Sequence, residues 1–128
     1  MKIRGADYIA RRVAERGLTH VFAVTGGGAM HLNDAFGAEP RLRTVYFHHE
    51  QAAAMAAEGY ARIAGRPAVL NVTTGPGGIN ALNGVFGAFT DSISMLGWRI
   101  AASGQSIGGK GPQHRLKCRG SANRTARS

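Results

Sequence analysis

A single cysteine, Cys118, occurs in the 128 residues, so no internal disulfide can staple this chain and no cysteine cluster can hold a metal. Acids are scarce too: there are seven, the last of them Asp91, and none follows it. No apolar run approaches the roughly 18–20 residues that cross a bilayer. The opening, Met1-Lys2-Ile3-Arg4-Gly5-Ala6-Asp7, lacks the apolar stretch of a secretion signal. These absences argue against a disulfide scaffold, a secreted protein and a membrane partner, and make a cytoplasmic location the expectation. A phosphate-cradling P-loop is excluded because no Lys-Ser or Lys-Thr follows a glycine loop. A dinucleotide fingerprint fails as well: Gly26-Gly27-Gly28-Ala29-Met30-His31 puts His31 where the third glycine belongs, and Asp34 and Glu39 come too soon for a ribose. With neither cysteines nor carboxylates grouped at ligand spacing, no metal site is expected.

Glycine, by contrast, is abundant, at 19 residues, beside 44% hydrophobic and 18% charged residues. That is a globular composition with many places where backbone turns tightly or approaches something closely. The formal net charge of +9 suggests nucleic acid until it is placed along the chain. Residues 1–96 hold nine Lys and Arg against all seven acids, or +2, whereas residues 97–128 hold seven and no acid, or +7. The basicity belongs to the end of the chain.

The first ninety or so residues read as alternating helix and strand. Ala6, Ile9, Ala10 and Val13 share one helical face, and Gly17 is a natural stop. Val21–Thr25 is a short apolar strand ended by three glycines, with a helix expected from about Ala29 to Phe36. Thr44–His48 is β-branched and aromatic, hence a second strand. Gln51–Ile63, rich in Ala and Met, is a helix ending near Gly65. Ala68–Thr73 is a third strand, and a last helix is expected from about Ile79 to Phe89. Strands separated by helices imply a doubly wound α/β fold with a parallel sheet covered on both faces.

In such sheets ligands bind beyond the carboxyl ends of the strands. Three unusual segments fall there: Gly26–Gly28, His48-His49-Glu50 and Gly75–Gly78. The glycines equally suit plain strand-to-helix turns. Glu50 follows an apolar strand and opens an Ala-rich helix, so a semi-apolar crevice with a raised carboxyl pKa is expected there, able to exchange a proton with a heteroaromatic nitrogen. The plainer role for Glu50 is to cap the helix amino terminus. Of His48 and His49, alternation places one toward the core and the other in solvent. Past Leu96, residues 104–128 have only Ile107 and Leu116 as large aliphatics, so a disordered basic tail over 97–128 is expected, of out-of-frame origin.

The string HHEQAAAMAAEGYARIAGRPAVLNVTTGPGGINALNGVFGAFTDSI (His48–Ile93) and the preceding VFAVTGGGAMHL (Val21–Leu32) resemble the amino-terminal pyrimidine-binding domain of thiamine-diphosphate enzymes of the acetolactate synthase type. The resemblance covers about residues 1–96. It implies that Glu50 hydrogen-bonds the aminopyrimidine N1′ of thiamine diphosphate and is the catalytic residue of this segment. It implies further that Gly27 and Gly28 are the paired glycines of the first cofactor loop, and that Pro76 and Asn80 border the aminopyrimidine. The synthases usually carry Tyr-Pro where this chain has Thr25-Gly26. They also carry proline where it has Ser94, and the strand that follows in the family is expected to be lost here.

The resemblance implies a parent that decarboxylates a 2-oxo acid such as pyruvate and joins the fragment to a second carbonyl, as a homodimer or tetramer. Mg²⁺ and the diphosphate would be held by a domain with a GDG motif that this sequence does not contain, and a structural FAD in the parent is left open. The chain alone is expected to bind thiamine diphosphate with little or no activity. Two other readings stand beside it. One is a small nucleic-acid-binding protein using Arg119, Arg124 and Arg127, weakened because no aromatic is interleaved for base stacking. The other is a non-catalytic subunit paired with a full-length paralogue.

Overall fold

Ala10 and Val13, one helical turn apart, are the buried residues of the first helix, α1 (Gly5–Glu15), as the spacing of the apolar face requires. The computed structural model describes residues 3–99 of the chain. After α1 come β1 (His20–Ala23), a single 3₁₀ turn (Gly27–Ala29) running into α2 (Met30–Ala38), β2 (Arg43–Tyr46), α3 (Glu50–Ala64), β3 (Ala68–Val72), α4 (Pro76–Thr90) and β4 (Met95–Arg99).

The strands form one parallel sheet in the order β2-β1-β3-β4. Its two inner strands carry the core on both faces. Val21, Ala23 and Val69 pack under α1 and α2 with Leu32 and Phe36. Phe22, Ala68, Leu70 and Val72 pack under α3 and α4 with Ala53, Ala54, Ala57 and Ala81. Every residue of β3 is buried, so the strand is near-continuously apolar rather than alternating, with Asn71 as its one polar residue. The expected doubly wound α/β architecture is therefore present.

α3 and α4 come unusually close. The α3 face presents only alanines to the core, and a Cβ added at Gly84 would lie 2.6 Å from Ala54 Cβ and 2.8 Å from the Ala54 carbonyl carbon. Arg62 adds an ionic tie between the two helices, bridging Glu58 on α3 and Asp91 at the end of α4.

Two expectations about element limits are corrected. α4 begins at Pro76, three residues before the expected start, because Gly75 caps it with φ +68, a left-handed value glycine adopts without strain, and Pro76 supplies a helical φ at the first position. The strand expected to be lost after Ser94 forms: β4 pairs with β3 from Ala68↔Met95 to Val72↔Arg99. Parallel pairing uses backbone N–H and C=O groups, so the change in side-chain character at Gly97 does not prevent it. β4 crosses the boundary expected at residue 96. The basic tail of the sequence reading otherwise lies outside the described residues.

Candidate functional site

The strand order reverses between β1 and β3. From β1 the chain passes through α2 to β2 on one side, then returns through α3 to β3 on the other. The helices after these two inner strands leave toward opposite faces, so a crevice opens beyond their carboxyl ends, the usual ligand position in open α/β sheets. The loop after β1 and the Thr73–Gly75 turn after β3 border it, and the start of α3 reaches it from β2.

Glu50 is the first residue of α3 and half-buried. Asn80, in the second turn of α4, donates through Nδ2 to Glu50 Oε2 at 3.0 Å. The other oxygen, Oε1, faces Gly77: a Cβ built there would lie 2.9 Å from it. Gly77 thus leaves one side of the carboxylate free of side chain. The Asn80 amide holds the Glu50 carboxyl below the ordinary glutamate range; its own backbone N–H adds to this, and partial burial opposes with less effect. The upward shift expected from an apolar crevice is not found, because the carboxylate is hydrogen-bonded and only half-buried.

Glu50 also lies in the first turn of α3, where a negative charge is favoured, although the N-cap position itself falls to another residue. His49 is the N-cap of α3, and its Nδ1 accepts from Gln51 N at 3.1 Å. Both His48 and His49 are exposed, so neither reaches the core. The strand ends at Tyr46, two residues earlier than expected, and the alternation of faces no longer applies beyond it.

Of the remaining candidates, Gly28 and Gly27 lie on the 3₁₀ turn after β1. Gly28 N donates to Thr73 Oγ1 at 3.2 Å, and a Cβ at Gly28 would lie 2.7 Å from Thr74 Oγ1. Gly27 is exposed with nothing within 4 Å of a Cβ position, so packing gives no reason for glycine there. Pro76 is exposed at the first position of α4. The structure therefore brings Glu50 and Asn80 together directly, sets Gly28 across the crevice by way of Thr73, and leaves Gly27 and Pro76 on the rim.

The sequence alone did not single out Thr73, and it named Gly26 and Gly77 only as members of their glycine segments, with no role for either. Gly26 has φ −172, far from the roughly −65° that proline imposes, and a Cβ there would lie 2.5 Å from Thr73 Cβ. The replacement of proline at this position thus has a local reason. The signal for Thr73 was present as the last residue of the apolar run, but nothing in a linear reading tells that two distant glycine segments close on it.

The family described as "Thiamine pyrophosphate enzyme, N-terminal TPP binding domain" matches residues 3–117. The acetolactate synthase large subunit of Buchnera aphidicola subsp. Acyrthosiphon pisum (strain APS) is 36% identical over 94 residues, 73% of this chain and 16% of that protein. The chloroplastic acetolactate synthase of Arabidopsis thaliana is 36% identical over 102 residues, 80% of this chain and 15% of that protein. The Haemophilus influenzae (strain ATCC 51907 / DSM 11121 / KW20 / Rd) acetolactate synthase large subunit is 36% identical over 95 residues, 74% of this chain and 17% of that protein. The chain spans about one sixth of the length of these relatives.

Proposed function

The chain belongs to the thiamine pyrophosphate enzyme N-terminal TPP-binding domain family, and on that premise we propose that its crevice takes the aminopyrimidine end of thiamine diphosphate against Glu50. The observation that carries this reading is the Glu50–Asn80 pair at the β1/β3 reversal, with Gly77 backbone rather than a side chain packed beside Oε1. A flat heteroaromatic ring fits a place where one wall is glycine backbone and the other a carboxylate with one oxygen already oriented. When bound, thiamine diphosphate supplies a nucleophilic carbon for attack on a carbonyl substrate.

The chain's own residues would act as follows. Asn80 fixes the rotamer of Glu50 by holding Oε2, which would leave Oε1 as the oxygen able to meet the ring nitrogen N1′. Gly27, Gly28 and Pro76 form the rim against which the ring lies. Glu50, if covered by such a ring and shielded from water, would have its pKa raised and could then hold a proton at N1′. Proton exchange at that atom is the catalytic contribution of this segment.

The longer protein to which such a segment contributes would decarboxylate a 2-oxo acid and join the product to a second carbonyl, as the acetolactate synthase relatives suggest by name. We assign the diphosphate and its Mg²⁺ to groups outside residues 3–99, so the chain alone should bind the cofactor more weakly than the low-micromolar range in calorimetry. The test of the catalytic role uses a longer protein that carries this segment together with a diphosphate-binding domain. Glu50→Gln should slow deuterium exchange at the cofactor's C2 carbon by orders of magnitude with an unchanged melting temperature. Exchange at the parent rate would refute the assignment.

A further inference from the structure

Thr73 follows β3 directly, is half-buried, and has glycine backbone against each branch of its side chain. Its Oγ1 accepts the Gly28 N–H at 3.2 Å, across 45 residues of sequence. A Cβ at Gly26 would lie 2.5 Å from Thr73 Cβ and 2.9 Å from Cγ2. A Cβ at Gly77 would lie 2.8 Å from that same Cγ2 methyl and 2.9 Å from Glu50 Oε1. One side chain is thus wedged between the loop after β1 and the first turn of α4, and the Glu50 carboxylate rests on the far side of that turn.

We propose that Thr73 is a positioning residue that sets the spacing between the glycine loop after β1 and the Glu50 carboxylate, with Oγ1 pinning Gly28 and Cγ2 seating Gly77. Its importance for the cofactor ring rests on the function proposed above; the spacing itself does not. Threonine suits this role because a hydroxyl and a methyl leave one carbon whose χ1 is stiff. Serine keeps only the hydroxyl and valine only the methyls, so the two halves of the device can be removed one at a time. A residue that merely filled space would be replaced by valine, of nearly the same shape, without consequence.

The experiment uses the full chain labelled with ¹⁵N and ¹³C, without cofactor. Two signals are followed: hydrogen exchange at the Gly28 amide and the titration of the Glu50 side-chain carboxyl. Thr73→Val should speed Gly28 exchange by roughly two- to tenfold, the range for losing one hydrogen bond, and leave the Glu50 midpoint where it was. Thr73→Ser should keep Gly28 protected and move the Glu50 midpoint up toward the ordinary glutamate range, because the first turn of α4 loosens and Asn80 is no longer held at its acceptor. Unchanged exchange at the Val69 and Leu70 amides shows that the sheet is intact in each variant.

Parent-like Gly28 exchange in Thr73→Val, or a parent-like Glu50 midpoint in Thr73→Ser, overturns the proposal. Should either variant lose the sheet, Gly26→Ala serves in its place. It presses on Thr73 from the other side and should move the Gly28 and Glu50 signals together, and a response at Gly28 alone overturns the coupling. None of these readouts involves thiamine diphosphate, so their failure is separate from failure of the cofactor reading, which Glu50→Gln decides.

Discussion

Asn80 Nδ2 and Glu50 Oε2 lie 3.0 Å apart, joining the second turn of α4 to the first residue of α3. The two helices start from the ends of different strands, β3 and β2, so this bond closes the mouth of the crevice on one face of the sheet. It is also the largest cause holding the Glu50 carboxyl below the ordinary glutamate range.

Removing the donor should therefore change a titration. In Asn80→Ala the Glu50 midpoint, followed by ¹³C NMR, is expected to rise toward the ordinary carboxylate range, because the largest cause of its depression is gone. A carboxyl depressed in the folded state adds stability that is present above its unfolded pKa and is lost as pH falls through its folded pKa. The variant should accordingly lose less stability than the parent on acidification through that window. An unmoved midpoint would show that the Asn80 bond does not form in solution.

Glycines 84 and 59 both sit inside helices but should respond with opposite signs. A methyl at Gly84 meets the Ala54 Cβ at 2.6 Å and α3 backbone at 2.8 Å, so Gly84→Ala should cost about 1–3 kcal/mol through overpacking, less a partial gain in helix propensity. A methyl at Gly59 meets nothing within 4 Å, and Gly59→Ala should stabilise by roughly 0.5–1 kcal/mol. Urea denaturation of the two variants measures both. Equal effects would contradict the close α3–α4 approach.

Gly77→Ala tests the close packing of glycine backbone against the carboxylate. The added methyl would lie 2.9 Å from Glu50 Oε1 and 2.8 Å from Thr73 Cγ2, and must displace one of them. Large shifts at Glu50 and Thr73 are expected in heteronuclear NMR spectra. Gly27→Ala, at an exposed position with no close neighbour, should leave both signals in place.

Ile79, Leu82, Phe86 and Phe89 are more than half exposed along α4, at 68%, 56%, 69% and 79%. Four large apolar residues on one stripe form a surface that favours association. The chain on its own should show concentration-dependent association in sedimentation velocity. The double variant Phe86→Glu, Phe89→Glu should raise the monomer fraction at equal concentration, and no change would remove α4 from the contact.

The order of helices and strands through α4 could be read from the sequence because each element carries its own period. The Ala6/Ile9/Ala10/Val13 face and the largely apolar Ala68–Val72 run need no tertiary information. β4 was not read despite its apolar Met95, Leu96 and Trp98, because the departure from the family pattern at Ser94 and the basic stretch beyond it argued for loss of the strand. At the site, Glu50 stood out by its place between an apolar strand and an Ala-rich helix, Asn80 only through a resemblance, and their 30-residue separation gives no local sign of contact. The direction of the Glu50 shift was misread because sequence position suggested apolar walls, whereas a donor from another helix controls the charge. Thr73 is the clearest case: its neighbours lie 45 residues before it as well as close after it, and only the closed crevice brings them together.

The central claim is that the crevice at the β1/β3 reversal takes an aminopyrimidine against Glu50. The most direct measurement is an NMR titration of the labelled chain with thiamine diphosphate up to millimolar concentration, repeated with Glu50→Gln. The account predicts that shifts concentrate at Glu50, Asn80, Gly28 and Thr73, that the Glu50 carboxyl midpoint rises as the ring covers it, and that the shifts largely vanish in Glu50→Gln. Shifts centred elsewhere on the chain, equal shifts in the variant, or none at millimolar cofactor would contradict it.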